Sequence, residues 1–276
     1  MPVEFPARRP LIFVAHPDDE SLACGGLLQR VDAALVVFAT DGAAPGFGGE
    51  RISGSLKAYS DARFIEAARA LAHVPNTSSQ RLTKPDGSYF VEVHLFEELP
   101  DAFASLCALA RSFSPDAIIS HAYEGAHLDH DACSFLATHA AAELSLCCFE
   151  FPLYWLDANR NVVRQQFRDV SPVSEGTANK SVELRLSESE IDRKNKMLAE
   201  YHTQRGTVSS FAPDVERFRL GPSSGSFLEP HCHDYMFQER RPRFYHTRRH
   251  RLPAKALLKK FSEFEAWRPN SKNPQG

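Results

Sequence analysis

Short apolar runs alternating with helically spaced stretches constrain the fold of this chain more than any other feature. LIFVA (11–15), ALVVFAT (34–40), AIISH (117–121) and LCCFEF (146–151) each suit a strand buried on both faces. Between and after them, LACGGLLQRV (22–31), YSDARFIEAARALAH (59–73), a stretch near 97–113 and HLDHDACSFLATHAAAEL (127–144) carry helical spacing. This order predicts an α/β fold, with a Rossmann-like, mostly parallel sheet and helices on both faces. The polar segment around Asn76, Pro85, Asp86 and Gly87 reads as a loop. Beyond Pro152 the pattern changes. Residues 161–170 and 181–187 read as strands, and 187–204 as a helix capped by Ser187 or Ser189. Residues 206–230 read as a long loop. The expected division is a principal domain over 1–220 and an accessory region over 221–276 that caps the strand-end site.

Composition narrows the function classes. Over 276 residues, 32 Lys and Arg against 35 Asp and Glu leave a formal charge of −3, which argues against a nucleic-acid partner. The six cysteines form no C-x-x-C pair, as expected of a reducing, cytoplasmic setting. The apolar run at 11–15 is shorter than a signal-peptide core, and no stretch has the length of a membrane span.

The chemistry concentrates where strands should end. Ala15-His16-Pro17-Asp18-Asp19-Glu20-Ser21 follows the first strand, and in parallel sheets ligands bind at that edge. Adjacent carboxylates beside a histidine are costly to place without a cation. His16 and Asp19 therefore read as metal ligands and Asp18 as a free base. The bland alternative makes Asp18, Asp19 and Ser21 turn and cap residues. A second segment after a strand holds His127, Asp129 and His130. His130 reads as the third ligand, completing a two-histidine, one-carboxylate strand-end metal site with a coordination position open for water. His127 reads as a catalytic imidazole, with Asp129 either holding and charging it or capping the helix.

These motifs occur with Gly25-Gly26, Thr40-Asp41-Gly42, Arg63-x-x-Glu66, and a helix ending Tyr201-His202-Thr203-Gln204. Together, over residues 9–220, they resemble the PIG-L/LmbE-like family of N-acetylglucosaminyl deacetylases. The resemblance implies zinc, or another divalent ion such as Fe2+, on His16, Asp19 and His130. It implies Asp18 as general base, and His127 as the group that stabilises the oxyanion or protonates the leaving amine. Arg63 would reach a substrate hydroxyl or phosphate, its bland reading being a solvated ion pair. The implied activity is removal of the N-acetyl group from an N-acetylglucosamine-containing conjugate, a small-molecule partner, with homo-oligomerisation left open. The alternatives are an amidase on another N-acyl amino sugar or thiol conjugate, and a non-catalytic sugar- or nucleotide-binding protein. Two departures stand out: Leu128 replaces the proline common in the H-x-D-H motif, and Gly125-Ala126 lack an aromatic found there in some members.

Three further signals read as structural. The glycines at 42, 46, 48 and 49 suggest a flexible loop at the site's mouth rather than a phosphate cradle. His231-Cys232-His233 reads as plain loop rather than a second metal site. The arginine-rich 240–251 stretch precedes an amphipathic segment, 254–267, read as docked on its own domain through Leu257, Phe261 and Phe264 rather than on a membrane.

Overall fold

Runs of apolar residues without polar interruption build the centre of a parallel sheet. In the computed structural model, which describes residues 5–46, 53–157, 159, 161–168, 181–222, 227 and 254–268, these runs become β1 (Pro10–Val14), β2 (Ala34–Phe38) and β4 (Ala117–His121). Every residue of the three is buried. They pair in parallel, Leu11 with Leu35 and Ile118, flanked by β3 (Thr77–Arg81) and β5 (Cys147–Phe151). Two further strands, β8 (Val182–Arg185) and β9 (Val215–Leu220), extend the sheet antiparallel beyond β5. Among the described residues its order is β3-β2-β1-β4-β5-β9-β8. The connections turn opposite ways from β1 and β4, so a crevice opens between their carboxyl ends, the usual ligand position in such sheets.

Alternate side chains of the strands serve two cores. Leu11, Phe13, Leu35, Val37 and Ile118 face a layer containing α3 (Leu99–Phe113) and α4 (Leu128–Leu144). Ile12, Val14, Val36, Phe38 and Ile119 face α1 (Asp19–Cys24), α2 (Leu56–Leu71) and α5 (Glu188–Ala199). Residues 254–267 form α7 (Ala254–Trp267), whose Leu257, Phe261 and Phe264 are buried in the first core. Phe261 stacks on Phe135 at 3.9 Å. The helix thus docks on the α3–α4 side of the sheet. A helix α6 (Arg205–Val208) and a β6–β7 hairpin (Tyr154–Leu156 with Val162–Arg164) complete the described elements. No helix among the described residues is long and apolar enough to cross a membrane.

The fold departs from the sequence reading at three places. β3, sequence TSSQR, lacks any apolar run because it is an edge strand with three of five residues exposed. β9 lies inside the expected long loop; its residues alternate between half-buried and buried, and charged side chains hid that alternation. The first helix stops at Cys24 instead of running to Val31. Gly26 is required there, since a Cβ would meet the Leu186 side chain at 2.2 Å. Glu216 then accepts the freed N–H groups of Gly26 and Leu27 and pairs with buried Lys194 at 2.6 Å. Ser187 is the cap of α5, with Glu190 closing a capping box. Gly48, Gly49, the 240–251 arginines and His231-Cys232-His233 lie outside the described residues.

Under α7 a buried imidazole makes the helix docking sensitive to acid. His139 is fully buried, its Nδ1 facing the Arg268 guanidinium and its Nε2 2.9 Å from Glu265. Burial, then the Arg268 charge, push its pKa down to about 3. The unfolded chain titrates near 6.5, so the stability this neutral ring contributes is complete above that pH and drains away as pH falls toward 3. Between pH 6.5 and 5 the wild type should lose about 2 kcal/mol more than a His139→Gln variant. Thermal unfolding followed at both pH values measures the difference, and parallel curves would refute it.

Candidate metal and catalytic centre

Three loops at the carboxyl ends of β1, β2 and β4 bring the charged residues together. Directly after β1, Asp18 adopts φ 140°, a conformation that side chains of L-residues avoid and that costs about 1–3 kcal/mol. This turn is held by buried partners. Glu20 accepts Asp18 N at 3.1 Å, Ser21 Oγ at 2.6 Å and the Tyr201 hydroxyl. Glu66 accepts the N–H and hydroxyl of Thr203. The Arg-x-x-Glu and Tyr-His-Thr-Gln motifs are therefore partly the frame that fixes the strained loop.

His16, Asp19, His127 and His130 are all buried at these loops, and their donor atoms fall into two groups that share His130. Asp19 Oδ2 lies 3.4 Å from His16 Nδ1, and Asp19 Oδ1 lies 3.7 Å from His130 Nε2. Among the described residues, donor atoms of His16, His127 and His130 fall within 4.8 Å of one another, as do those of Asp19, His121 and His130, whereas the expected trio of His16, Asp19 and His130 is not itself such a group. His121, the last residue of β4, was not among the sequence candidates. Its signal was the one that marked the first loop, a histidine at the carboxyl end of a parallel strand.

Hydrogen bonds already occupy some of these nitrogens. His121 Nε2 accepts the Ala15 N–H at 3.0 Å, and His127 Nδ1 accepts the Asp129 N–H at 3.1 Å as the cap of α4. Among the described residues His130 has no hydrogen-bond partner on either ring nitrogen. Two donors each 2.0–2.1 Å from one tetrahedral ion stand about 3.4 Å apart. The separations to Asp19, 3.4 Å through Oδ2 for His16 and 3.7 Å through Oδ1 for His130, each fit a cation of that size shared by the pair.

Electrostatics points the same way. Against burial, the acids Glu92, Asp129 and Asp19 hold His16 well above its ordinary value, as acids do when they require a cation among them. Asp19, despite burial, is held well below the carboxylate range by His130 and His121. Burial, then His121, keeps His130 neutral and its lone pair available. Asp18 behaves oppositely: burial lifts it to about 8 although Arg63 opposes the shift.

Two expected roles change. Asp129 does not hold His127; its Oδ2 lies 3.2 Å from His16 Nε2 and also accepts Val93 N at 2.6 Å. The α4 backbone carries His127 past Asp129, whose side chain points back to the first loop. His127 is also not an imidazolium, because burial and then the His16 charge push it down to about 3. Arg63 is buried rather than solvated. It donates to Gly42 O at 2.7 Å and Pro17 O at 2.9 Å, and meets Asp18 Oδ1 at 3.3 Å. Gly42, at φ 65°, makes room for it, since a Cβ there would lie 2.9 Å from Pro17. Glu92, 3.4 Å from Arg63 and 3.8 Å from His16, comes from a loop without any sequence pattern.

Residues 11–141 match the model of the PIG-L family, GlcNAc-PI de-N-acetylase. They are a PIG-L domain. This PIG-L domain contains the first two strand-end loops, α2 and the whole H-x-D-H segment. No curated protein matches the chain. Among solved structures, a deacetylase of teicoplanin biosynthesis in complex with teicoplanin is similar at 17% identity and TM-score 0.57, covering 78% of this chain and 98% of its own. The A40926 pseudoaglycone deacetylase Dbv21 is similar at 16% identity and TM-score 0.57, covering 78% and 96%. The N,N'-diacetylchitobiose deacetylase of Pyrococcus horikoshii is similar at 16% and TM-score 0.52, covering 79% and 85%. At these identities the likeness is one of fold.

Proposed function

We propose that the protein is a metal-dependent N-deacetylase acting on an N-acetylglucosamine-containing conjugate and releasing acetate and a free amino sugar. One observation carries the reading: a buried carboxylate, Asp19, stands at metal-sharing distance from His16 Nδ1 through Oδ2 and from His130 Nε2 through Oδ1, a ring with no hydrogen-bond partner among the described residues, while the neighbouring Asp18 stays out of those contacts. His16, Asp19 and His130 would hold a zinc-type ion. Its ligands are two imidazoles and one carboxylate, the chemistry such an ion prefers. His121 and His127 are poorer ligands because each has a lone pair engaged by a backbone N–H. When bound, the cation supplies Lewis acidity and lets water act as a nucleophile near neutral pH.

The remaining steps belong to the chain. Asp129 accepts from His16 Nε2, which fixes the tautomer and leaves Nδ1 free to ligate. Arg63 orients Asp18 through Oδ1. Asp18 takes a proton from the attacking water as the new C–O bond forms, then delivers it to the amine nitrogen as the C–N bond breaks. His127, neutral and accepting at Nδ1, carries its hydrogen on Nε2 and donates a hydrogen bond from it to the acyl oxygen, keeping the proton. The family match and the folds of the three solved deacetylases favour an N-acylated amino sugar as the substrate.

A panel of N-acetylglucosaminyl conjugates with different aglycones, scored for free amine and acetate, tests this. Zinc-loaded protein should release both from at least one conjugate, a chelator should abolish release, and added zinc should restore it. Release from no conjugate, or release indifferent to the chelator, would overturn the reading.

A further inference from the structure

The wall opposite the first loop is built by a residue that no motif marks. β5 ends at Phe151, and after Pro152 the chain turns into the β6–β7 hairpin. The turn is pinned by Glu124, buried in the loop after β4, whose two carboxylate oxygens accept Leu153 N and Tyr154 N, each at 3.1 Å. A backbone held by both oxygens of one buried carboxylate has little freedom to slide. It delivers the Tyr154 ring onto His130, with centroids 5.2 Å apart and planes tilted by 57°. Tyr154 is half-buried, and no hydrogen bond is formed by its hydroxyl among the described residues. Burial, then the charges of Asp19, Asp18, Glu124 and Glu92, push the phenol pKa well up, so it keeps its proton at neutral pH.

We propose that Tyr154 is a catalytic residue whose phenol O–H donates to the acyl oxygen of the substrate from the His130 side, with Glu124 as its positioning residue. The inference rests on the deacetylase reading and adds a donor to it. A phenol is a donor at neutral pH, and an acyl oxygen gains negative charge as water adds to the carbonyl carbon. A donor whose partner arrives only with the substrate is the arrangement that favours the transition state over the free protein. The hydrogen bond strengthens during addition, and the phenol keeps its proton throughout. His127 approaches from the α4 cap and Tyr154 from the hairpin, so the two donors come from separate elements.

The test compares zinc-loaded wild type with Tyr154→Phe on a conjugate the wild type hydrolyses. The variant should lose about 10- to 100-fold in kcat, with KM within about threefold and zinc affinity unchanged in chelator competition. It should also bind the N-methylphosphonyl derivative of glucosamine, a tetrahedral mimic of the hydrated acetamide, at least about tenfold more weakly by calorimetry. Glu124→Gln, which can accept only one of the two N–H groups, should lower kcat more modestly. Combined with Tyr154→Phe it should cause no further loss in kcat, as a positioning role requires and a merely structural role does not. A Tyr154→Phe enzyme with wild-type kcat, or one altered in KM alone, overturns the role of Tyr154 while leaving the deacetylase reading intact. A wild type that releases no amine overturns both.

Discussion

Asp18→Ala is expected to keep its metal and to lose about 10³-fold in turnover. Among the described residues the carboxylate has one ion-pair partner, Arg63 Nη2 at 3.3 Å, and it lies next in sequence to the proposed ligand Asp19 without sharing its contacts with the imidazoles. Removing it takes away the proton acceptor while His16, Asp19 and His130 remain. Arg63 stays satisfied by Gly42 O, Pro17 O and Glu92, so the loop should not collapse around a stranded charge. Asp18→Asn, which preserves the shape and loses the base, should fall as far. Metal stoichiometry by elemental analysis and amine release under single-turnover conditions measure the two halves of the prediction. Near-normal turnover would remove Asp18 from the mechanism, and metal loss would make it a ligand.

The second large effect concerns the metal itself. His130→Ala should abolish stable binding, since the ring supplies an unengaged nitrogen 3.7 Å from Asp19 and its burial leaves no room for a substitute side chain. The contrast with its neighbours is the informative part. His121→Ala and His127→Ala remove rings whose lone pairs already accept backbone N–H groups, so their affinity should fall by no more than the 10- to 100-fold typical of outer partners. Zinc competition against a chromophoric chelator ranks the three. Were His121→Ala to lose zinc as completely as His130→Ala, the ion would sit on the Asp19, His121 and His130 set instead.

Much of this centre was legible before any coordinates. His16, Asp18, Asp19, His127 and His130 follow apolar runs that end where parallel strands end, and a site at that edge needs only local pattern and the chirality of β-α-β units. What stayed hidden was whatever local pattern does not encode. Glu92 and Val93 belong to a loop with no periodicity, yet Glu92 faces Arg63 and His16. Asp129 was legible as a residue but not as a partner of His16, because residues 113 apart in the chain meet only after α4 is docked. Arg63 read as a substrate contact or a solvated helix arginine, and its burial stayed hidden because α2 has a weak apolar stripe and the loops that close over it are distant in sequence. Two strands, β3 and β9, carry polar or charged faces that a period-two reading passes over.

The parallel sheet, the strand-end position of the site and the kinds of donor there follow from the amino-acid order alone. Those depend on short-range periodicity and residue chemistry, which no distant contact alters. Which nitrogen lone pairs are engaged, and which acid pairs with which base, was set when the loops packed together. A hydrogen bond is directional over about 3 Å, so its partners are chosen by the final packing of loops from β1, β4 and the hairpin after β5.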